Sequence, residues 1–332
     1  MPERRWLIPL AFAAIYVIWG STYLAIRFAI ETLPPFLMAG GRFLVAGLVL
    51  YAWSRWRGAG RPSAAQWRSS AILGTLLLVG GNGLVSWAEL RVPSGIAALL
   101  VSTVPLFVVL LEWRGPRAIR VGRPRLPVAV GVVSGLLGIA VLIGPGELLG
   151  KPVDTLGAVV LIVAALTWSI GSTISRKLEH HPSPVASTSM QMLTGGGILI
   201  VAGLALGESS GFDVAAVSST SLWAFVYLIV FGSIVAFTAY VFLLSRVAVA
   251  KVSTYAYVNP VVALLLGWAL ASEPLGMRTL LASAIILGAV FLITTQRRAP
   301  KSTSEPTDPE TAESPAALER SACRPCVTAD AS

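Results

Sequence analysis

Charge is what this sequence has least of. Of its 332 residues only 12% are Asp, Glu, Lys or Arg, against about 25% in an ordinary soluble domain. Cysteine is almost missing too. Its two copies, Cys323 and Cys326, lie in a polar C-terminal stretch, so no disulfide supports the fold. That Cys-x-x-Cys has neither a second pair nor a nearby His, which argues for inert thiols over a zinc site. The two histidines, His180 and His181, are adjacent in a polar loop. So few bases, nucleophiles and metal ligands leave an intramembrane enzyme little to work with. The expectation is no enzyme, no cofactor and no metal. A net charge of +9 invites a nucleic-acid reading, but the basic residues are scattered through short loops and form no aromatic-basic platform. No nucleic-acid partner is expected.

What is abundant is apolar surface. Hydrophobic residues make up 55% of the chain and mean hydropathy is +0.77. Runs long enough to cross a hydrocarbon core of about 30 Å fall at 7–26, 35–53, 69–88, 94–111, 127–144, 156–174, 184–206, 222–244, 253–271 and 279–295. The first run follows MPERR as a signal peptide would. It is read as a retained helix, because its removal would delete one member of the repeat described next. Basic residues alternate from loop to loop. Eighteen Lys and Arg flank one side, from Arg4 and Arg5 through Arg114–Arg125 to Arg297, Arg298 and Lys301. The opposite loops hold four: Arg27, Arg91, Lys151 and Arg278. That bias places both termini in the cytoplasm of an inner-membrane, multi-pass protein. From about Arg297 the chain is rich in Ser, Pro, Glu and Ala and reads as a disordered cytosolic tail, 297–332.

The chain also matches itself. IWGSTYLAIR aligns with TWSIGSTISR, pairing Trp19 with Trp168 and Arg27 with Arg176, and the same offset pairs Pro35 with Pro184, Arg42 with Gln191 and Gly47 with Gly196. A slightly longer offset pairs Pro105 with Pro260 and Trp113 with Trp268. Five helices is an odd number, so the second copy enters the membrane upside down. The expected fold class is therefore an all-α membrane protein with ten transmembrane helices as two inverted five-helix repeats, 1–145 and 150–296. Inverted repeats are a recurring transporter architecture with the substrate site between the copies. The expected partners are the lipid bilayer and a small-molecule substrate. The rival classes are a channel or a receptor, neither of which requires such repeats.

WGSTYLAIRFAIETLPPFLMAGGRFLVAG, GNGLVSWAE, VPSGIAALLVSTVPLF and STYAYVNPVVALLLG closely resemble the EamA branch of the drug/metabolite transporter superfamily. The resemblance spans about residues 6–295. It implies a cavity lined by helices 1–4 and 6–9, with helices 5 and 10 peripheral, and export of amino acids, related metabolites or drugs. One departure stands out. Glu273 fits the family's acid just after the ninth helix, but the position 13 residues past Pro105 is Ala118, and Glu112 lies in a different register.

The candidate pathway residues are Trp19, Tyr23, Arg42, Asn82, Glu89, Trp168, Ser172, Gln191, Tyr255 and Asn259, with Pro105 and Pro260 as helix kinks. Arg42 is the charged residue clearly inside an apolar span, where an ionisable group is costly and needs a cavity or a partner. Two readings stand: an anchor for a substrate carboxylate, or a structural arginine held by carbonyls or Glu89. Thr75, Asn82, Ser86 and Glu89 fall on one face of a 3.6-residue helix. Glu89, at the outer boundary, is either part of the pathway or simply solvated. Trp168, Ser172 and Ser175 share a face, as do Ser187, Gln191 and Thr194. Trp19 and Tyr23 would stack planar substrates or pack. Tyr255 and Asn259 precede Pro260, and each proline leaves a carbonyl unpaired. With no Asp, Glu or His inside a span, facilitated, gradient-driven export is expected. Glu89 is the group to hold responsible if the protein is instead a proton-coupled antiporter.

Overall fold

In lipid every backbone N–H and C=O must find a partner within the protein, so uncharged apolar runs fold as helices. The computed structural model describes residues 6–114, 123–143, 153–244, 246–247, 252 and 254–296, and among these there is no strand. The tail with Cys323 and Cys326, and loop residues 115–122, lie outside the described residues. The long helices are α1 (Leu7–Ala29), α2 (Pro35–Trp56), α3 (Ala64–Ala88), α4 (Ser94–Arg114), α5 (Leu126–Ile143), α6 (Thr155–Ser175), α7 (Pro184–Ala205), α8 (Ser219–Leu243), α9 (Tyr255–Ala271) and α10 (Met277–Thr295). Nine of them are long and apolar enough to cross a bilayer, whereas α9 has only 17 residues. The expected spans match these helices to within five residues at either end.

The helix starts are chemically marked. Pro35 and Pro184 open α2 and α7, where a missing N–H costs nothing. Ser63 and Gln66 form a reciprocal capping box on α3, and Asp154 accepts from the Gly157 amide at 2.7 Å to start α6.

Lipid tails are as apolar as leucine, so helices associate by close packing and not by escape from water. The α2–α7 crossing shows this. A Cβ on Gly40 would lie 2.9 Å from the Gly196 carbonyl, and one on Gly196 would lie 3.0 Å from the Gly40 carbonyl. Around it Phe36, Phe43, Leu50, Leu78, Met192 and Leu199 form one buried cluster. A second cluster, with Val85, Leu99, Leu100, Leu142, Leu161 and Ile286, joins α3 to α6 and α10. Large apolar side chains such as Leu48, Val133 and Val201 are more than half exposed on the perimeter. In water that belt would be an aggregation hazard; against lipid it is the required surface.

Two features depart from regular α-helix. The third helix of each half carries a π-helical stretch, Gly74–Gly83 in α3 and Leu228–Val235 in α8. A 3.6-residue wheel therefore misplaces the polar stripe expected on α3. Thr75 is exposed and bonds its own helix at Ala71 O, while Ser86 and Glu89 are buried and Asn82 is half-buried. The wide turns shift the face between its two ends. The prolines behave differently from each other. α4 is interrupted at Ser102–Thr103, just ahead of Pro105, and Ser169 of α6 donates to the Val104 carbonyl there at 3.1 Å. α9, by contrast, stays helical through Pro260.

Candidate functional site

A π-turn places its hydrogen bonds five residues apart and often accompanies a functional position. In α8 this stretch presents two neighbouring groups to the first half of the chain. The Gly232 carbonyl accepts from Trp19 Nε1 at 3.3 Å, and Ser233 Oγ accepts from Arg42 Nε at 2.9 Å. Arg42 is only 6% exposed, and its guanidinium also lies 4.5 Å from the Phe43 ring centroid. Its hydrogen-bond partner is thus a serine from the other half, while Glu89 lies within electrostatic reach without bonding it. Its terminal Nη pair makes no hydrogen bond among the described residues.

Beside it stands an aromatic group. The Trp19 ring lies 5.2 Å from Tyr240 and 5.1 Å from Tyr255, and the two tyrosines are 6.0 Å apart. Edge-on and tilted aromatic pairs at these separations are favourable, at about 0.5–1.5 kcal/mol each beyond their burial. Tyr16 adds a short hydroxyl contact to Thr254. Tyr23 and Tyr255 are both half-buried. Asn259 is buried with Oδ1 unpartnered, and α9 meets α1 nearby, where a Cβ on Gly20 would lie 3.2 Å from the Asn259 carbonyl.

The other expected residues go elsewhere. A Cβ on Gly81 would fall 2.6 Å from Trp168 Cε3, so this indole lies on the π-stretch of α3. The Gln191 carbonyl would be 2.7 Å from a Cβ on Gly74, at the start of the same stretch. Ser172 is exposed. The arrangement is reciprocal. Trp19 and Arg42 of the first half contact the π-stretch of the second, and their aligned partners Trp168 and Gln191 contact the π-stretch of the first. A surface cavity of about 470 Å³ beside α3 and α7 draws on Thr194 but on none of Trp19, Arg42 or Tyr255.

Glu89 is not solvated. It is fully buried, and neither carboxylate oxygen has a hydrogen-bond partner. Arg27 Nη1 reaches the Glu89 backbone carbonyl at 2.9 Å. Two further acids have roles that sequence reasoning did not assign. Glu273 accepts from the Ser94 and Gly95 amides at 2.7 and 3.0 Å, capping α4. Glu208 accepts from the Phe36 and Leu37 amides at 3.1 and 2.9 Å, capping α2. A helix N-terminus favours a carboxylate through its free N–H groups and its dipole. Each cap joins the second half of the chain to the first, across more than 170 residues. No local signal encodes such a pairing. Tyr240 and Ser233 were missed for the same reason, since both lie in apolar runs whose phase the π-turns alter.

Described residues without a strand, a lipid-type perimeter, and a buried arginine and aromatic group shared between the halves define a polytopic membrane protein of the transport class. The EamA-like transporter family matches residues 6–144 and again 155–295, and the chain belongs to it. Escherichia coli K12 has a relative named "Uncharacterized inner membrane transporter YedA", 40% identical over 293 residues, covering 87% of this chain and 92% of that one. An "Uncharacterized transporter" of Archaeoglobus fulgidus is 24% identical, covering 89% of this chain and all of its own length. A crystal structure 23% identical in sequence superposes with a TM-score of 0.60, covers 88% of this chain and 99% of its own, and shows a shared fold. Both of these relatives are named as transporters, and the protein is a multi-pass transporter of the inner-membrane type.

Proposed function

We propose that the protein exports small metabolites, amino acids or related compounds and drugs among them, by alternating access between the halves 1–145 and 150–296. In this reading all ten helices cross the bilayer, the halves are inverted copies, and both termini are cytoplasmic. At 17 residues α9 reaches about 25 Å at 1.5 Å per residue, close to a hydrocarbon core once flanking residues are added. The observation that supports the reading most is Arg42. It is buried and held through Nε by Ser233 of the other half, and its Nη pair is free to hold a carboxylate in a bidentate fashion. Trp19, Tyr240 and Tyr255 beside it suit an apolar or planar moiety. A site built from both halves is remade each time they rock against one another, which is what carrier function asks of it.

Counterflow in proteoliposomes tests this. Vesicles preloaded with unlabelled amino acids should take up the labelled mixture in a saturable way, and Arg42→Ala should abolish uptake at normal protein abundance. Flux linear in concentration would instead mark a channel.

A further inference from the structure

Neither oxygen of Glu89 has a hydrogen-bond partner, and the side chain is closed off from solvent. The residue immediately follows α3, whose span ends at Ala88. The charged and titratable groups facing it come from three elements: Tyr23 and Arg27 on α1, Arg42 on α2, and Glu273 after α9. Arg27 bonds the Glu89 backbone carbonyl through Nη1 and Arg42 bonds Ser233 through Nε, and neither donates to the Glu89 carboxylate. Glu273 is fixed by the Ser94 and Gly95 amides. A second negative charge on Glu89 would thus lack donors and face a like charge. Burial without partners favours the neutral acid. Water entering from this end would reverse the preference, because solvation and the two guanidiniums then stabilise the anion.

We propose that Glu89 is the proton-carrying residue of this transporter, neutral while its surroundings are closed and exchanging its proton with water only when they open, so that proton movement is tied to the transport cycle. The step breaks one carboxylic O–H bond and leaves a carboxylate facing Arg27 and Arg42. It rests on the carrier reading and replaces the gradient-driven facilitator that the scarcity of intramembrane acids suggests.

The test has two arms, both on the full chain. First, dicyclohexylcarbodiimide, an apolar reagent that modifies protonated carboxyls, is added to membranes between about pH 5.5 and pH 9. Mass spectrometry should locate the adduct on Glu89 and not on Glu208 or Glu273, with labelling falling about tenfold per pH unit once the group ionises. Second, everted vesicles holding an imposed proton gradient, read by acridine orange, receive the proteinogenic amino acids as a mixture. Wild type should discharge the gradient at least about fivefold faster than Glu89→Gln at equal membrane abundance. Glu89→Asp should restore part of the discharge. Absence of the Glu89 adduct across the pH range, or equal discharge in Glu89→Gln, overturns the proposal. Absence of counterflow in wild type overturns the carrier reading itself, whatever the labelling shows.

Discussion

Arg42 carries more of the functional argument than any other side chain, because its position is unfavourable unless something answers its charge. A central arginine costs about 2.5–3.5 kcal/mol on insertion scales, and one hydrogen bond to Ser233 offsets only about 1.5–3 kcal/mol of that. Arg42→Lys is the discriminating substitution. It keeps the charge but cannot bond Ser233 and fork a carboxylate at once. Transport of acidic or zwitterionic substrates should fall by roughly tenfold or more, equivalent to about 1.4 kcal/mol, with membrane abundance unchanged by immunoblot. A parallel fall in abundance would make Arg42 a structural group. The arginine itself was legible in the sequence, as a charge within an apolar run. Its partner was not, because Ser233 sits 191 positions away in a run with no polar periodicity. Glu89 was legible as a candidate and misplaced, since hydropathy puts it at a boundary where the packing of three elements closes over it.

The helices were readable because lipid enforces them. Length, charge-free composition and proline at N1 fixed the starts of α2 and α7 to the residue. What composition could not convey is the winding within a helix. The π-stretches of α3 and α8 contain no proline, and each packs against helices of the opposite half. Close packing at Gly40 and Gly196 also depends on tertiary context, although Gly47–Gly196 pairing in the repeat hinted at a role. Gly196→Leu would force a side chain to within about 3 Å of α2 backbone. Overpacking of that kind costs about 1–3 kcal/mol. The expected result is a lower thermal midpoint for the purified protein in detergent, whereas Gly197→Leu, whose Cβ meets nothing within 4 Å, should leave the midpoint unchanged.

Across the whole molecule, the Lys and Arg asymmetry remains the handle on orientation. In a chain whose Cys323 and Cys326 are replaced by Ser, Gly60→Cys should resist a membrane-impermeant maleimide in intact cells. Ser210→Cys, in the loop that supplies the Glu208 cap, should react; the reverse pattern would invert the topology. The same comparison bears on how the carrier cycles. Glu208 and Glu273 lie in Lys- and Arg-poor loops, the side expected to face outward, and each fastens the second half to a helix start in the first. Losing a helix cap costs about 0.5–2 kcal/mol. Two such clasps on one face act as a thermodynamic bias, setting how rarely an idle carrier stands open to the outside. Removing both, with Glu208→Gln and Glu273→Gln, should raise the outward-open population by about fivefold or more. A spin-label distance across the outer loops would register the shift. The physiological counterpart would be leak: a carrier that no longer waits shut, dissipating the gradients it was built to spend only on cargo.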